Sequence, residues 1–475
     1  MSGPRHTVIV LIEGLSAKSE GPKLGGTAGL RPPYGLTMGR AYLIDGGTFM
    51  LDIAFIRKNP ELVKKAATDK RMAVDVDALL ALDVRLRALA VRVDALRSER
   101  NTLSKGMAGS ADREGLASRV REIKRELAAL ESEHSSAQID LDALMLTVPS
   151  IPAPEVPIGA GEEDNVEVRR VGEVRQFDFE PKDHVELCEA LDLLDMPRAS
   201  RIAGSRSYYL KNEAVLLEMA LCRFVLDTLV SRGFTPMTVP LMVREGAMQG
   251  TGYFPIGREQ AYNLPEDELF LIGTSEVSLV SYHQGEILDE RELPIRYAGL
   301  SQCFRREAGT YGRDTRGLYR VHQFTKVEQV VICRADDAEA RSLHEEILGN
   351  TEYILQALGL PYRVALACTG EIGIGQVRKH EVECWMPGRG AYCETHSCST
   401  LGDFQARRLG IRYRSADGAL GYAYTLNNTG IASPRILIPL LENYQNEDGS
   451  VTLPDVLRPY MGGMEEICAK HRGGN

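Results

Sequence analysis

Between residues 76 and 147 the apolar side chains keep one rhythm. Leu79, Leu82, Leu86, Leu89, Val93, Leu96 and Leu103 step by three and four residues, with Arg100 in the one gap. After a Gly/Ser break at Gly106–Gly109 the steps resume at Leu116, Val120, Ile123, Leu127, Leu130, Ala137, Leu141 and Leu144, with His134 in the seam. A seam of this period is buried when two helices lie along one another. The short break makes them antiparallel neighbours, a helical hairpin. Each helix is expected to run about 30 residues, hence about 45 Å at 1.5 Å per residue. The faces outside the seam are polar, so the hairpin is expected to project into solvent as an arm.

Charge singles out the same segment. The chain carries a formal net charge of −10, which argues against indiscriminate nucleic-acid binding. Residues 85–125, however, hold eleven Lys/Arg against five Asp/Glu. That segment is +6, which leaves −16 for the remainder. A basic arm on an acidic body suits a protein that grips RNA by one appendage. A solvated coiled coil or a dimerisation helix pair would share the periodicity.

The stretch VPSIPAPEVPIGAGEED (148–164) has four prolines and no helix period, and reads as a linker. From about residue 165 helices alternate with β-rich runs. LFLIGTSEVSLV, RYAGLSQCFRRE, YRVHQFTKVEQVVI and GYAYTLNNT read as strands, without regular βαβ spacing. The fold class expected is therefore α+β: a helical coiled-coil arm followed by a mainly antiparallel sheet with flanking helices. No GxGxxG or GxxxxGK[ST] loop is present, which argues against a Rossmann or P-loop nucleotide site. No apolar run approaches the length of a membrane span. Nine cysteines are scattered without zinc-site spacing and read as reduced cytosolic thiols.

Chemistry concentrates in residues 303–328, CFRREAGTYGRDTRGLYRVHQFTKVE. Arg305, Arg306, Arg316 and Arg320 alternate with Glu307, Asp314 and Glu328 around a Gly-rich centre. The pattern reads as strand, long loop, strand. Arginine's planar fork clamps phosphate and carboxylate oxygens, and carboxylates among arginines can take an amine or a divalent metal. Such a site can hold a nucleoside triphosphate and an amino acid together.

This stretch resembles motif 2 of class II aminoacyl-tRNA synthetases, Phe-Arg-x-Glu, here Phe304, Arg305 and Glu307. The string Gly-Arg-Asp-Thr-Arg-Gly-Leu, then Arg-Val-His-Gln-Phe and Lys-Val-Glu, is similar to seryl-tRNA synthetases of bacterial type in particular, and the likeness runs over most of residues 50–463. The resemblance implies a serine–tRNA ligase that makes seryl-adenylate from L-serine and ATP. It then transfers serine to the terminal adenosine of tRNA(Ser), and of tRNA(Sec) where present. It implies that Arg305 bridges the α-phosphate and the serine carboxylate, that Glu307 reads the adenine amino edge and that Arg320 reaches the outer phosphates. Phe324 and the motif 3 residue Arg435 would stack on opposite faces of the adenine. In this chain Ser433 and Pro434 stand before that arginine, where the class pattern is richer in glycine. Glu394 and Ser397 of CETHSCS would hold Mg²⁺, since both offer hard oxygen ligands. Ser-Cys-Ser beside a histidine also admits a nucleophile reading. The serine pocket would comprise Thr274, Glu276, Arg305, Glu328 and Thr429. In it Glu328 and Thr429 would hold the hydroxyl, and Thr274 would help orient the ammonium. Residues 233–241, GFTPMTVPL with Pro240, resemble motif 1, which implies a homodimer. The arm would contact tRNA through backbone and shape.

The implied organisation is an extension over 1–49, a tRNA-binding helical region over 50–150, a linker over 151–164 and a catalytic body over 165–475. The extension is rich in Gly and Pro and lacks periodicity. It reads as a disordered tail, a targeting peptide or a start codon placed upstream of Met50. Cytoplasmic location is the expectation. Two rival functions differ in what they require. A ligase that charges a carrier protein would lack the hairpin, and a non-catalytic relative would have lost Arg305, Glu307, Glu394 or Arg435.

Overall fold

A computed structural model describes residues 52–107, 111–309 and 316–469. The extension over 1–49, the tip of the hairpin at Gly109 and the loop acid Asp314 lie outside the described residues. The described residues belong to one compact unit.

The hairpin is built from α1 (Val76–Gly106) and α2 (Arg113–Met145), of 31 and 33 residues. Each starts at an aspartate whose carboxylate accepts a main-chain N–H of the first turn, Asp75 from Ala78 and Asp112 from Gly115. The expected seam is the buried one: Leu89, Val93 and Leu96 meet Ile123, Leu127 and Leu130. Ion pairs cross from helix to helix beside it, Arg85–Glu133, Arg92–Glu126, Arg97–Glu131 and Arg119–Glu99. Four of the basic side chains are thus neutralised within the arm. Arg121, Lys124 and Arg125 are exposed and make no ion pair among the described residues.

The seam is self-contained only along the outer part of the arm. At its root, Val76, Leu79, Met145 and Val148 share a core with Ile56, Val63, Ile374 and Phe404. The helix Pro60–Asp69 packs into the same cluster through Val63. Residues 148–159, the proline-rich stretch, are pinned along the body. Ser150 N–H donates to Ile374 O (2.9 Å), Ala153 N–H to Val377 O (2.9 Å), and Pro157 O accepts from Thr369 N–H (2.9 Å).

The body is organised by one eight-stranded sheet. Its strands are β1 (Val166–Val171), β2 (Thr235–Thr238), β3 (Ile295–Phe304), β4 (Gln323–Cys333), β5 (Tyr362–Leu366), β6 (Arg378–Met386), β7 (Ala391–Gly402) and β8 (Tyr424–Ser433). The spatial order is β1-β5-β6-β7-β8-β4-β3-β2. Every pair is antiparallel except β2 with β3. The expected α+β class and antiparallel sheet are what the structure shows. One helical layer, α3 (Glu213–Ser231) and α4 (Asp337–Ala357), covers one face and shares the largest core with it.

One strand expectation fails. LFLIGTSEVSLV is a three-residue strand, Leu269–Leu271, then a short helix, Glu276–Ser281. Gly273, Thr274 and Ser275 interrupt the run. After them Val277, Leu279 and Val280 bury helix-spaced side chains. The stretch resembling motif 1 forms β2, the edge of the sheet, entered from α3 through Gly233 at φ +85°.

Candidate active site

Strands β3 and β4 are antiparallel partners from Ile295↔Ile332 to Phe304↔Gln323. That register brings both ends of the 303–328 stretch together. Arg305 N–H donates to His322 O (2.9 Å), which extends the ladder by one step. Glu307 follows with φ +52°, a left-handed backbone that costs a non-glycine residue about 1 kcal/mol or more. Gln260 holds it there. Its amide accepts from Ala308 N–H (3.0 Å) and donates to Ala308 O (2.9 Å), while its carbonyl accepts from Arg306 N–H (2.9 Å).

A cleft of about 710 Å³, including the space at its open mouth, lies over this part of the sheet. Arg305, Glu307, Arg320, Phe324, Glu394, Ser397, Thr429 and Arg435 all line it. Every residue that the resemblance assigns to ATP or metal is therefore gathered in one place. Arg320 approaches Glu307 at 3.4 Å. The Arg305 guanidinium lies 5.2 Å from the centroid of the Phe324 ring. Arg435 rests on a different aromatic: its Cζ is 4.4 Å from the centroid of Tyr319, which Arg389 also approaches at 4.0 Å. Arg435 Nε donates to Tyr319 O (3.1 Å), and Nη1 reaches Glu394 O (3.2 Å) and Oε2 (3.3 Å).

Glu394 and Ser397 stand three residues apart on β7, which in a regular strand points them to opposite faces. The ladder shows why they share one. Ser397 pairs with Glu381 and Glu394 with Glu383, and the extra residue, Thr395, is a β-bulge. Glu381 and Glu383 are two apart and so lie on one face, and their partners lie there with them. Burial pushes the Glu394 carboxyl up, but Lys379, Arg435, Arg305 and Arg320 outweigh it and hold the group below its ordinary range. An ionised carboxylate and a hydroxyl on one wall form a donor set suited to a hard divalent cation. The neighbouring His396 is buried, and burial followed by the Lys326 charge pushes it down to about 3, so it stays neutral. Its Nδ1 bonds the Thr395 hydroxyl (2.8 Å), not Ser397, and the nucleophile reading finds no support.

A second, smaller cavity adjoins the first and shares Arg305, Lys326 and Ser397 with it. Its wall includes Glu276 and Glu328. Glu276 is buried and fully engaged. Gln405 Nε2 and Asn427 Nδ2 each donate to Oε1 at 2.7 Å, and the Tyr253 hydroxyl donates to Oε2 at 2.9 Å. Burial, then the nearby Glu328 charge, raises the Glu276 carboxyl. Glu328 is paired with Lys326. Thr429 stands directly across the ladder from Glu328, on the wall of the larger cleft. Thr274 sits behind, buried, its hydroxyl accepting from Glu276 N–H (3.3 Å) and approached by Lys326 Nζ (3.4 Å).

Residues 261–444 match the family described as the tRNA synthetase class II core domain (G, H, P, S and T), and residues 50–152 match the seryl-tRNA synthetase N-terminal domain. A serine–tRNA ligase of Deinococcus radiodurans is 51% identical over 420 residues, covering 88% of this chain and 99% of that relative. The chain belongs to the seryl-tRNA synthetase family. The serine–tRNA ligase of Dictyoglomus turgidum is 45% identical over 427 residues, 89% of this chain and 100% of that relative. Among solved structures, the seryl-tRNA synthetase of Pyrococcus horikoshii complexed with ATP aligns with a TM-score of 0.83 at 39% identity. The alignment spans 89% of this chain and 100% of that one. A Giardia lamblia prolyl-tRNA synthetase, 16% identical at a TM-score of 0.52, shares the fold.

Several residues that line or support these cavities escaped the sequence reading. Lys326 precedes Glu328 by two positions, and that strand period was the available signal. Tyr253, Gln260, Tyr319, Gln405 and Asn427 carry no comparable pattern, because they reach the site from separate elements.

Proposed function

We propose that this protein activates L-serine with ATP and transfers it to the terminal adenosine of tRNA(Ser), working in the cytoplasm. One observation carries the reading: Arg305 stands in the wall common to two cavities, one rich in arginines and the other holding buried acids. From that place its guanidinium can touch an α-phosphate on one side and a carboxylate on the other. The serine carboxylate oxygen attacks the α-phosphorus in line, and pyrophosphate leaves. Arg305 and Arg320 neutralise charge as it passes through the transition state. Glu307 reads the adenine edge, and Phe324 takes one adenine face. Arg435 leaves Tyr319 to cover the other. Glu394 and Ser397 would hold Mg²⁺, whose charge would help neutralise the phosphates. Glu276, backed by Thr274, orients the ammonium of serine, and Glu328 and Thr429 hold its hydroxyl. In the second half-reaction the tRNA hydroxyl attacks the adenylate carbonyl and AMP leaves. The exposed row Arg121, Lys124 and Arg125 supplies phosphate contacts on the arm. The α3–β2 edge, where Leu216 and Met219 are exposed, supplies the homodimer contact. In a cell that makes tRNA(Sec), the same site would serylate it.

The test is serine-dependent ATP–pyrophosphate exchange followed by charging of bulk tRNA. Both are expected. Exchange driven by another amino acid, or exchange without charging, would overturn the assignment.

Specificity has a sharper test in Thr429. Thr429→Val keeps the volume and removes one hydroxyl beside Glu328. The expected loss is about 1–3 kcal/mol in kcat/KM for serine, the cost of a buried polar partner left unpaired. Alanine activation should fall much less. An equal proportional loss for both amino acids would withdraw Thr429 from the serine pocket.

A further inference from the structure

One stretch of the smaller cavity's wall is a turn rather than a strand of the sheet. It is Gly373–Gln376, in the turn between β5 and β6. On the inner side this turn is tied to the sheet by Gln376, whose Nε2 donates to the Ser399 hydroxyl on β7 (2.7 Å). On the outer side it is tied to the N-terminal helical region. Lys70, at the C-terminal cap of the helix Pro60–Asp69, reaches in and donates to three main-chain acceptors of the turn: Gly373 O (3.1 Å), Ile374 O (3.2 Å) and Gln376 O (2.7 Å).

Lys70 is only 3% exposed, and no carboxylate among the described residues pairs with it. A buried, unpaired ammonium is costly, and three carbonyl dipoles are what compensates it here. Burial lowers the amine to about 7, which is the signature of that cost. A lysine serving only to fill space would be replaced by an apolar chain at a gain. The amine is kept where it donates to three carbonyls of one loop. The loop needs such a clamp, because it contains Gly373 and Gly375 and has little side-chain packing of its own apart from Ile374.

We propose that Lys70 is a positioning residue for the amino-acid substrate. It holds the Gly373–Gln376 wall closed, so that the region carrying the tRNA arm sets the affinity for serine. The inference rests on the smaller cavity being the part of the serine pocket that holds Glu276 and Glu328.

The test uses the full-length protein in serine-dependent exchange. Lys70→Met keeps the stem of the side chain and removes the donors. Its KM for serine is expected to rise about tenfold, the scale of losing a set of hydrogen bonds from a charged group. The KM for ATP and kcat should stay within about twofold, since neither the larger cleft nor Arg305 is touched. Lys70→Arg, which can donate to the same carbonyls, should recover most of the serine KM. Should Lys70→Met not fold, Lys70→Gln, with two N–H donors on a shorter stem, is read the same way and should give an intermediate KM. A folded Lys70→Met protein with an unchanged serine KM would overturn the proposal. So would a variant in which both KM values rise together while kcat falls, since that marks general damage. Failure of the wild-type protein to exchange with serine would instead remove the functional assignment itself, which separates the two outcomes.

Discussion

Arg305→Ala is expected to lower serine-dependent ATP–pyrophosphate exchange by at least about two orders of magnitude, the scale of removing a key electrostatic group from a reacting centre. The substitution is also expected to leave the fold intact. The side chain makes one long hydrogen bond among the described residues, Nε to Gly273 O at 3.3 Å, and its main chain keeps the bond to His322. Its contribution is therefore spent on ligands rather than on the protein. Because Arg305 lines both cavities, the KM values for ATP and for serine should both change, unlike the pattern expected at Lys70. Rapid-quench measurement of adenylate formation in one turnover would isolate the chemical step. Near-normal exchange by a folded Arg305→Ala protein would remove this residue from the mechanism.

The second large effect concerns the arm. Replacing residues 88–130 with a short Gly/Ser turn removes the outer seam, including Leu89, Val93, Leu96, Ile123, Leu127 and Leu130. It spares the root, where Val76, Leu79 and Met145 share a core with Ile374 and Phe404. Exchange should stay within about twofold of the intact protein, because no residue of either cavity is touched. Charging of tRNA should fall at least about a hundredfold, the consequence of losing several phosphate contacts together. Removing all of 76–147 is a different experiment, since it also strips the support from behind the Gly373–Gln376 wall. Parallel assays of exchange and charging on the shorter deletion decide the matter. Undiminished charging would assign the arm another task.

The two experiments also mark what could be read from the chain and what could not. The hairpin was legible because a coiled-coil seam is a local pattern: its residues announce themselves by spacing, and α1 and α2 bury the side chains that the spacing selects. Arg305, Glu307, Arg320 and Phe324 were legible as a group because they flank one loop between adjacent antiparallel strands, so nearness in sequence becomes nearness in space. Arg435 and Glu394, distant in sequence, were reached through family resemblance alone, and the register of β4, β8 and β7 is what delivers them. Lys70 was invisible to both routes. Its partners are main-chain carbonyls some 300 positions away, and a carbonyl leaves no mark in a sequence. The run at 269–281 was misread for the opposite reason. Short apolar runs look alike whether they will become strand or helix, and the three small residues that divide this one are weak punctuation.

The bulge at Thr395 makes arithmetic part of the chemistry. In a regular ladder the identity of a residue decides what it offers and its parity decides which way it faces. Between Glu394 and Ser397 one supernumerary residue inverts the parity, so the oxygen pair depends on how many residues intervene as much as on which they are. Loss of Thr395 would conserve both groups in name while sending one of them to the far side of the sheet. For this strand, length is under the same chemical constraint as a ligand.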